Sequence, residues 1–120
     1  MSYKIVFYET CSGRRPAEEF VLKLKQTHPK MNRKVVRDIQ LLQEFGKALK
    51  MPQVRYLEYG LYELRSFFGT DTVRIFYFFF SGEQIVLTNG FVKKTQKTPP
   101  GELEKAFRYK KDYEDKNENI

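Results

Sequence analysis

The sequence predicts an α+β fold in which a curved, mainly antiparallel sheet carries two helices from the N-terminal half and one from the C-terminal end. Three observations predict it. Leu61–Phe67, Thr72–Phe80 and Gln84–Phe91 are dense in aromatic and branched residues, and each gap between them holds a glycine, Gly69 and then Gly82, as in consecutive antiparallel hairpins. Upstream, residues 16–45 place apolar side chains at helical spacing in two segments. Downstream of Pro99 the same spacing returns once.

Taken in order, Tyr3–Tyr8 alternates as a first strand, with Tyr3, Ile5 and Phe7 on one side. Thr10–Arg15 is a turn-rich loop. Pro16 suits a first helical position, and Glu18 and Glu19 suit the positive start of that helix. Phe20, Val21 and Leu24 form its stripe, and His28-Pro29 ends it. A second helix runs from about Met31 to Phe45, with Val35, Ile39 and Leu42 inward and Arg33, Lys34 and Arg37 on a solvated face; Gly46 stops it. Lys47–Gly60 reads as a connector with one apolar anchor, Val54 to Leu57. After the three strands, Thr98-Pro99 forms a helix cap and first position. The last helix turns Leu103, Ala106 and Phe107 inward and Arg108, Lys110 and Lys111 outward. The charged tail from about Asp112 is expected to fray. Residues 1–120 read as a single domain, without repeat or low-complexity block.

Turn positions set a register for the strands. With Phe67 opposite Thr72, Arg65 falls opposite Arg74. With a tight turn at Ser81–Gly82, Phe80 meets Glu83, Phe78 meets Ile85, Phe76 meets Leu87 and Arg74 meets Asn89. One face then carries Phe76, Phe78, Ile85 and Leu87 as core, and Arg65, Arg74, Asn89 and Glu63 at its polar end. Facing cations cost a sheet a few tenths to about 1 kcal/mol. An anion between them removes that penalty, and phosphate is the obvious one. The alternative is that Glu63 neutralises both arginines as a buried ion network.

Composition bounds the function. The formal net charge is +7 over 120 residues, which favours a polyanionic partner or leaves a merely solvated basic surface. No apolar run approaches the ~20 residues needed to span a membrane, and no signal peptide is evident. The lone Cys11 excludes an internal disulfide, which suits a cytoplasmic protein. A single His28 and that one cysteine make no zinc site, and no acidic Mg²⁺ motif, P-loop, GxGxxG or nucleophile elbow is present, so neither metal nor cofactor is expected.

What remains is a basic constellation, Arg65, Arg74, Lys93, Lys94 and Lys97, with Glu63 and the aromatic Phe91. Such a set can cleave RNA without metal. The 2′-hydroxyl attacks the adjacent phosphate, arginines hold the phosphoryl charge, and a lysine or Glu63 moves protons. Phe91 would stack a splayed base.

The strings YELR (Tyr62–Arg65), RIFYF (Arg74–Phe78) and GFVKKTQKTP (Gly90–Pro99) resemble the phage-derived, HigB-like branch of the RelE/ParE toxin superfamily. The likeness covers nearly the whole chain, and KKTQKTP is its most specific piece. It implies a RelE-like fold and a type II toxin–antitoxin toxin that cleaves mRNA on the translating ribosome. It also implies a helix-turn-helix, HigA-like antitoxin through which alone operator DNA is met. By the same resemblance Arg74 matches the strand arginine set against the scissile phosphate. Arg65 matches the arginine of an LR pair, and Lys93 or Lys94 a basic residue after the last strand. The chain departs from RelE in offering Leu61 and Glu63 where RelE has lysines. It also turns into Thr98-Pro99-Pro100 where RelE has a late tyrosine, so the general base is left open. Two other functions stay in view: a ParE-like gyrase inhibitor, and a non-enzymatic module that binds an antitoxin as co-repressor.

Overall fold

The computed structural model describes residues 2–94, 99 and 101–118. Its elements are β1 (Lys4–Phe7), α1 (Pro16–Thr27), α2 (Pro29–Phe45), a 3₁₀ turn at Gly46–Ala48, β2 (Val54–Glu58), β3 (Leu61–Phe68), β4 (Asp71–Phe80), β5 (Gln84–Lys93) and α3 (Glu102–Asn117). The five strands form one open sheet in the order β1-β5-β4-β3-β2, antiparallel throughout except for the parallel β1–β5 pair. The fold is α+β, with three helices on a mainly antiparallel sheet.

Helices pack on both faces of the sheet. On one, α1 and α2 press Leu24, Met31, Val35 and Leu42 against Leu64, Ile75, Tyr77, Ile85 and Leu87. On the other, α3 packs Ala106, Leu103 and Phe107 against Leu61, Phe76 and Phe91, and Tyr109 and Tyr113 against Phe78 and Val86. The two leading helices are nearly continuous. His28 closes α1 and opens α2, and Pro29 supplies the first residue of α2 rather than only ending α1. Gly46 ends α2 at φ 49°, and a Cβ there would lie 2.0 Å from Tyr3 Cε1. Gly90 lets α1 lie close on β5: a Cβ would meet Phe20 Cδ2 at 2.8 Å and the Arg74 carbonyl oxygen at 2.9 Å.

The structure corrects four expectations. The connector contains a strand, β2, whose Arg55, Tyr56 and Glu58 are exposed because it lies at the sheet edge. The β3–β4 register is the expected one, Phe67 with Thr72 and Arg65 with Arg74. The β4–β5 register is not. Phe80 pairs with Gln84, Phe79 with Ile85, Phe78 with Val86 and Tyr77 with Leu87. The turn holds three residues, with Ser81 at φ 50° and Gly82 at φ 75°, and a one-residue slip moves each β5 side chain to the other face. Ile85 and Leu87 therefore face α1 and α2. A bulge at Thr88–Asn89, both opposite Phe76, then sets Arg74 against Phe91 instead of Asn89.

The tail, finally, is not frayed from Asp112. Helix α3 continues to Asn117, with Tyr8 donating to Asp112 at 2.6 Å and Tyr113 to Gln84 at 2.7 Å. Burial, reinforced by Asp112, pushes the Tyr8 hydroxyl well above its usual range, while Lys116 first and Tyr8 second hold the Asp112 carboxyl down. The expected cap residue Thr98 lies outside the described residues; α3 itself starts at Glu102, after Gly101.

Candidate nucleic-acid interface

The α3-side face of the sheet is covered only in part, and its open end can be read in three cross-strand rows. The innermost places Arg55 of β2 beside Glu63 of β3 and Phe76 of β4. The middle row is Arg65, Arg74 and Phe91, and the outermost Phe67, Thr72 and Lys93. Neighbouring strands lie about 4.8 Å apart, so each row from β3 to β5 spans roughly 10 Å. Four cations and one carboxylate thus share these three rows.

Arg65 and Arg74 are backbone partners whose side chains diverge. Arg74 Nη1 donates to Glu63 Oε1 at 2.9 Å, with the two side chains 11% and 3% exposed. The buried Nε of Arg74 has no partner among the described residues. Arg65 instead sends Nε to the Pro52 carbonyl at 3.0 Å, and its guanidinium lies 5.7 Å from the Phe67 ring centre. Glu63 therefore neutralises one arginine and not both. Among the described residues Arg55, Arg65 and Lys93 form no ion pair.

Other expected site residues are dispersed. Lys94 follows β5 and, unlike Lys93, lines a cleft against α1 with Lys23, Phe20 and His28. Asn89 is buried, and its amide donates to the Glu102 carbonyl at 3.0 Å and to Glu102 Oε1 at 3.2 Å; it ties down the start of α3. Phe91 is 8% exposed, packed on Phe76 with ring centres 5.9 Å apart, so its ring is core rather than an open platform for a base. Lys97 lies outside the described residues.

Two members of the face escaped the sequence reading. Arg55 was hidden in the supposed connector, although Val54-Arg55-Tyr56 shows the alternation of a short strand. Phe67 closes its run and is 44% exposed on the same face as Arg65. Among the described residues no group of three or more His, Cys, Asp or Glu side chains is placed to hold a metal ion, and no helix is long and apolar enough to cross a membrane.

Two helices thus cover one face of the sheet, and the other carries a cation cluster in which, among the described residues, only Arg74 is paired with a carboxylate. Over residues 23–111, which include β2 through β5, the chain matches the family of phage-derived Gp49-like proteins (DUF891). It belongs to that family, one of RelE-like toxin–antitoxin toxins. No curated protein matches it significantly.

Proposed function

We propose that the chain is the toxin of a type II toxin–antitoxin system and a ribosome-dependent, metal-independent mRNA endonuclease that inhibits translation in the cytoplasm. The supporting observation is the middle row of the open face. There Arg74 is held from below by Glu63 and Arg65 stands beside it, with no second carboxylate among the described residues to neutralise the pair. The two arginines stand at facing strand positions with each guanidinium tied to its own partner, Glu63 for Arg74 and the Pro52 carbonyl for Arg65. Donors on either side of a phosphate laid across the row are therefore fixed before charge develops on it.

In this reading the 2′-hydroxyl attacks the adjacent phosphorus, a 2′,3′-cyclic phosphate forms, and the 5′ oxygen leaves with a proton. Arg74 and Arg65 hold the equatorial oxygens. Lys93, half-buried in the next row, is the better placed proton carrier, since Glu63 is committed to Arg74. Glu63 then acts as a positioning residue. A helix-turn-helix, HigA-like antitoxin would silence the site by covering it or by blocking its docking on the ribosome.

A second reading is favoured by the same ion pair. If Arg74 serves only to neutralise Glu63, the face is a docking surface for an acidic antitoxin without cleavage. Induced expression followed by mapping of mRNA 5′ ends decides between them. Codon-phased cuts on ribosome-bound mRNA, persisting in EDTA when ribosomes are kept intact by other means, are the expected result. Intact mRNA in arrested cells, or DNA damage with intact mRNA, contradicts the endonuclease.

A further inference from the structure

The two phenylalanines that end β3 stand in different company. Phe68 points to the α1/α2 side and shares a shallow apolar cleft with His28, Pro29, Lys30 and Met31. Phe67 points to the opposite face, 44% exposed and outside the three apolar clusters, and what lies against its ring is the Arg65 guanidinium. That guanidinium is not free to wander, because its Nε is bound to the Pro52 carbonyl. In the same outermost row, two strands away, stands Lys93. Two residues along β3, about 7 Å, separate Phe67 from the Arg65–Arg74 row.

We infer that Phe67, with Arg65 fixed against its ring, is a nucleobase platform for single-stranded RNA. It stacks the base of the nucleotide next to the phosphate held at Arg74. This rests on the endonuclease reading and adds a subsite to it. The argument is one of complementary chemistry. A rigid exposed ring gives a sequence-tolerant stacking surface, and a guanidinium beside it adds a cation–π contribution. The row that holds the ring ends in a lysine able to meet the next phosphate. Phe91 cannot take this role, since it is packed beneath α3.

The chain contains no tryptophan, so Phe67→Trp creates a unique reporter. Short single-stranded oligoribonucleotides should quench its emission and bind it about as tightly as they bind the parent. Phe67→Ala should bind them about tenfold or more weakly while melting at the parent's temperature. An oligomer lacking the stacked base should bind parent and Phe67→Ala equally. If Phe67→Ala binds RNA like the parent while Arg74→Lys still loses cleavage, the platform is refuted and the endonuclease reading stands. If the parent binds no RNA and leaves ribosomal mRNA uncut, both fall. If Phe67→Ala loses only its grip on an acidic antitoxin peptide, the ring serves a protein partner and the inference is overturned.

Discussion

The two faces of the sheet solve the same packing problem differently. Two helices run along one face and close it with aliphatic and aromatic side chains, leaving one buried carboxylate, Asp38. Asp38 accepts from Ser66 Oγ and Lys34 Nζ, each at 2.6 Å, so it locks α2 to β3 and Lys34 remains near solvent. A single helix serves the other face and covers about half of it. There the buried carboxylate is Glu63, its partner Arg74 is itself nearly buried, and further cations stand alongside. The first arrangement satisfies its buried carboxylate twice over, although the buried Tyr77 hydroxyl has no partner among the described residues. The second leaves the Arg74 Nε without a partner among the described residues and places like charges in one row. Each face buries one unpartnered polar atom, so what distinguishes the open face is the pairing of like charges across neighbouring strands, Arg65 with Arg74.

The comparison can be broken at several points, beginning where the effect is largest. Phe91 belongs to the covered half of the α3 face, so Phe91→Ala should cost about 3–5 kcal/mol in urea unfolding. Phe67→Ala, on the open half, should cost no more than about 0.5 kcal/mol. Equal losses would erase the boundary between the two halves. Asp38→Ala should cost about 1–3 kcal/mol, because Ser66 Oγ is left buried without a partner, and should not change cleavage. A cleavage defect there, in folded protein, would mean that the closed face takes part in function.

The smallest effect concerns alkaline pH. The Tyr8 hydroxyl is raised by burial and by Asp112, so the folded chain keeps its proton after the unfolded chain has lost it. Its contribution is complete below about pH 10 and is lost progressively as pH rises beyond that. Stability against pH should fall above this point, and Tyr8→Phe should make the fall shallower. An unchanged slope would remove Tyr8 as the cause.

How much could be read beforehand follows from local physics. The β3–β4 hairpin was legible because a short glycine turn fixes its register, and with it the Arg65–Arg74 pairing. The β4–β5 register was not. Strand β5 is buried on both faces, so no polar alternation was there to reveal the three-residue turn or the bulge at Thr88–Asn89. The edge strand β2 was missed because its exposed residues look like a loop, and Arg55 was lost with it. The burial of Phe91 depends on where α3 lands, a long-range fact that no local pattern carries. Glu63 and Arg74 were found together, yet their pairing, and the turn of Arg65 toward Pro52, came only with the structure.

The central claim is that Arg74 both balances Glu63 and acts on RNA, and one cycle of variants separates the two roles. Arg74→Ala alone should lose about 3–5 kcal/mol, since it strands a buried carboxylate. Glu63→Gln combined with Arg74→Gln removes both charges and should melt close to the parent. That folded double variant should still cut ribosome-bound mRNA about 10²–10³ times more slowly. A double variant as stable as the parent and equally fast would contradict the account and leave the ion pair a structural device.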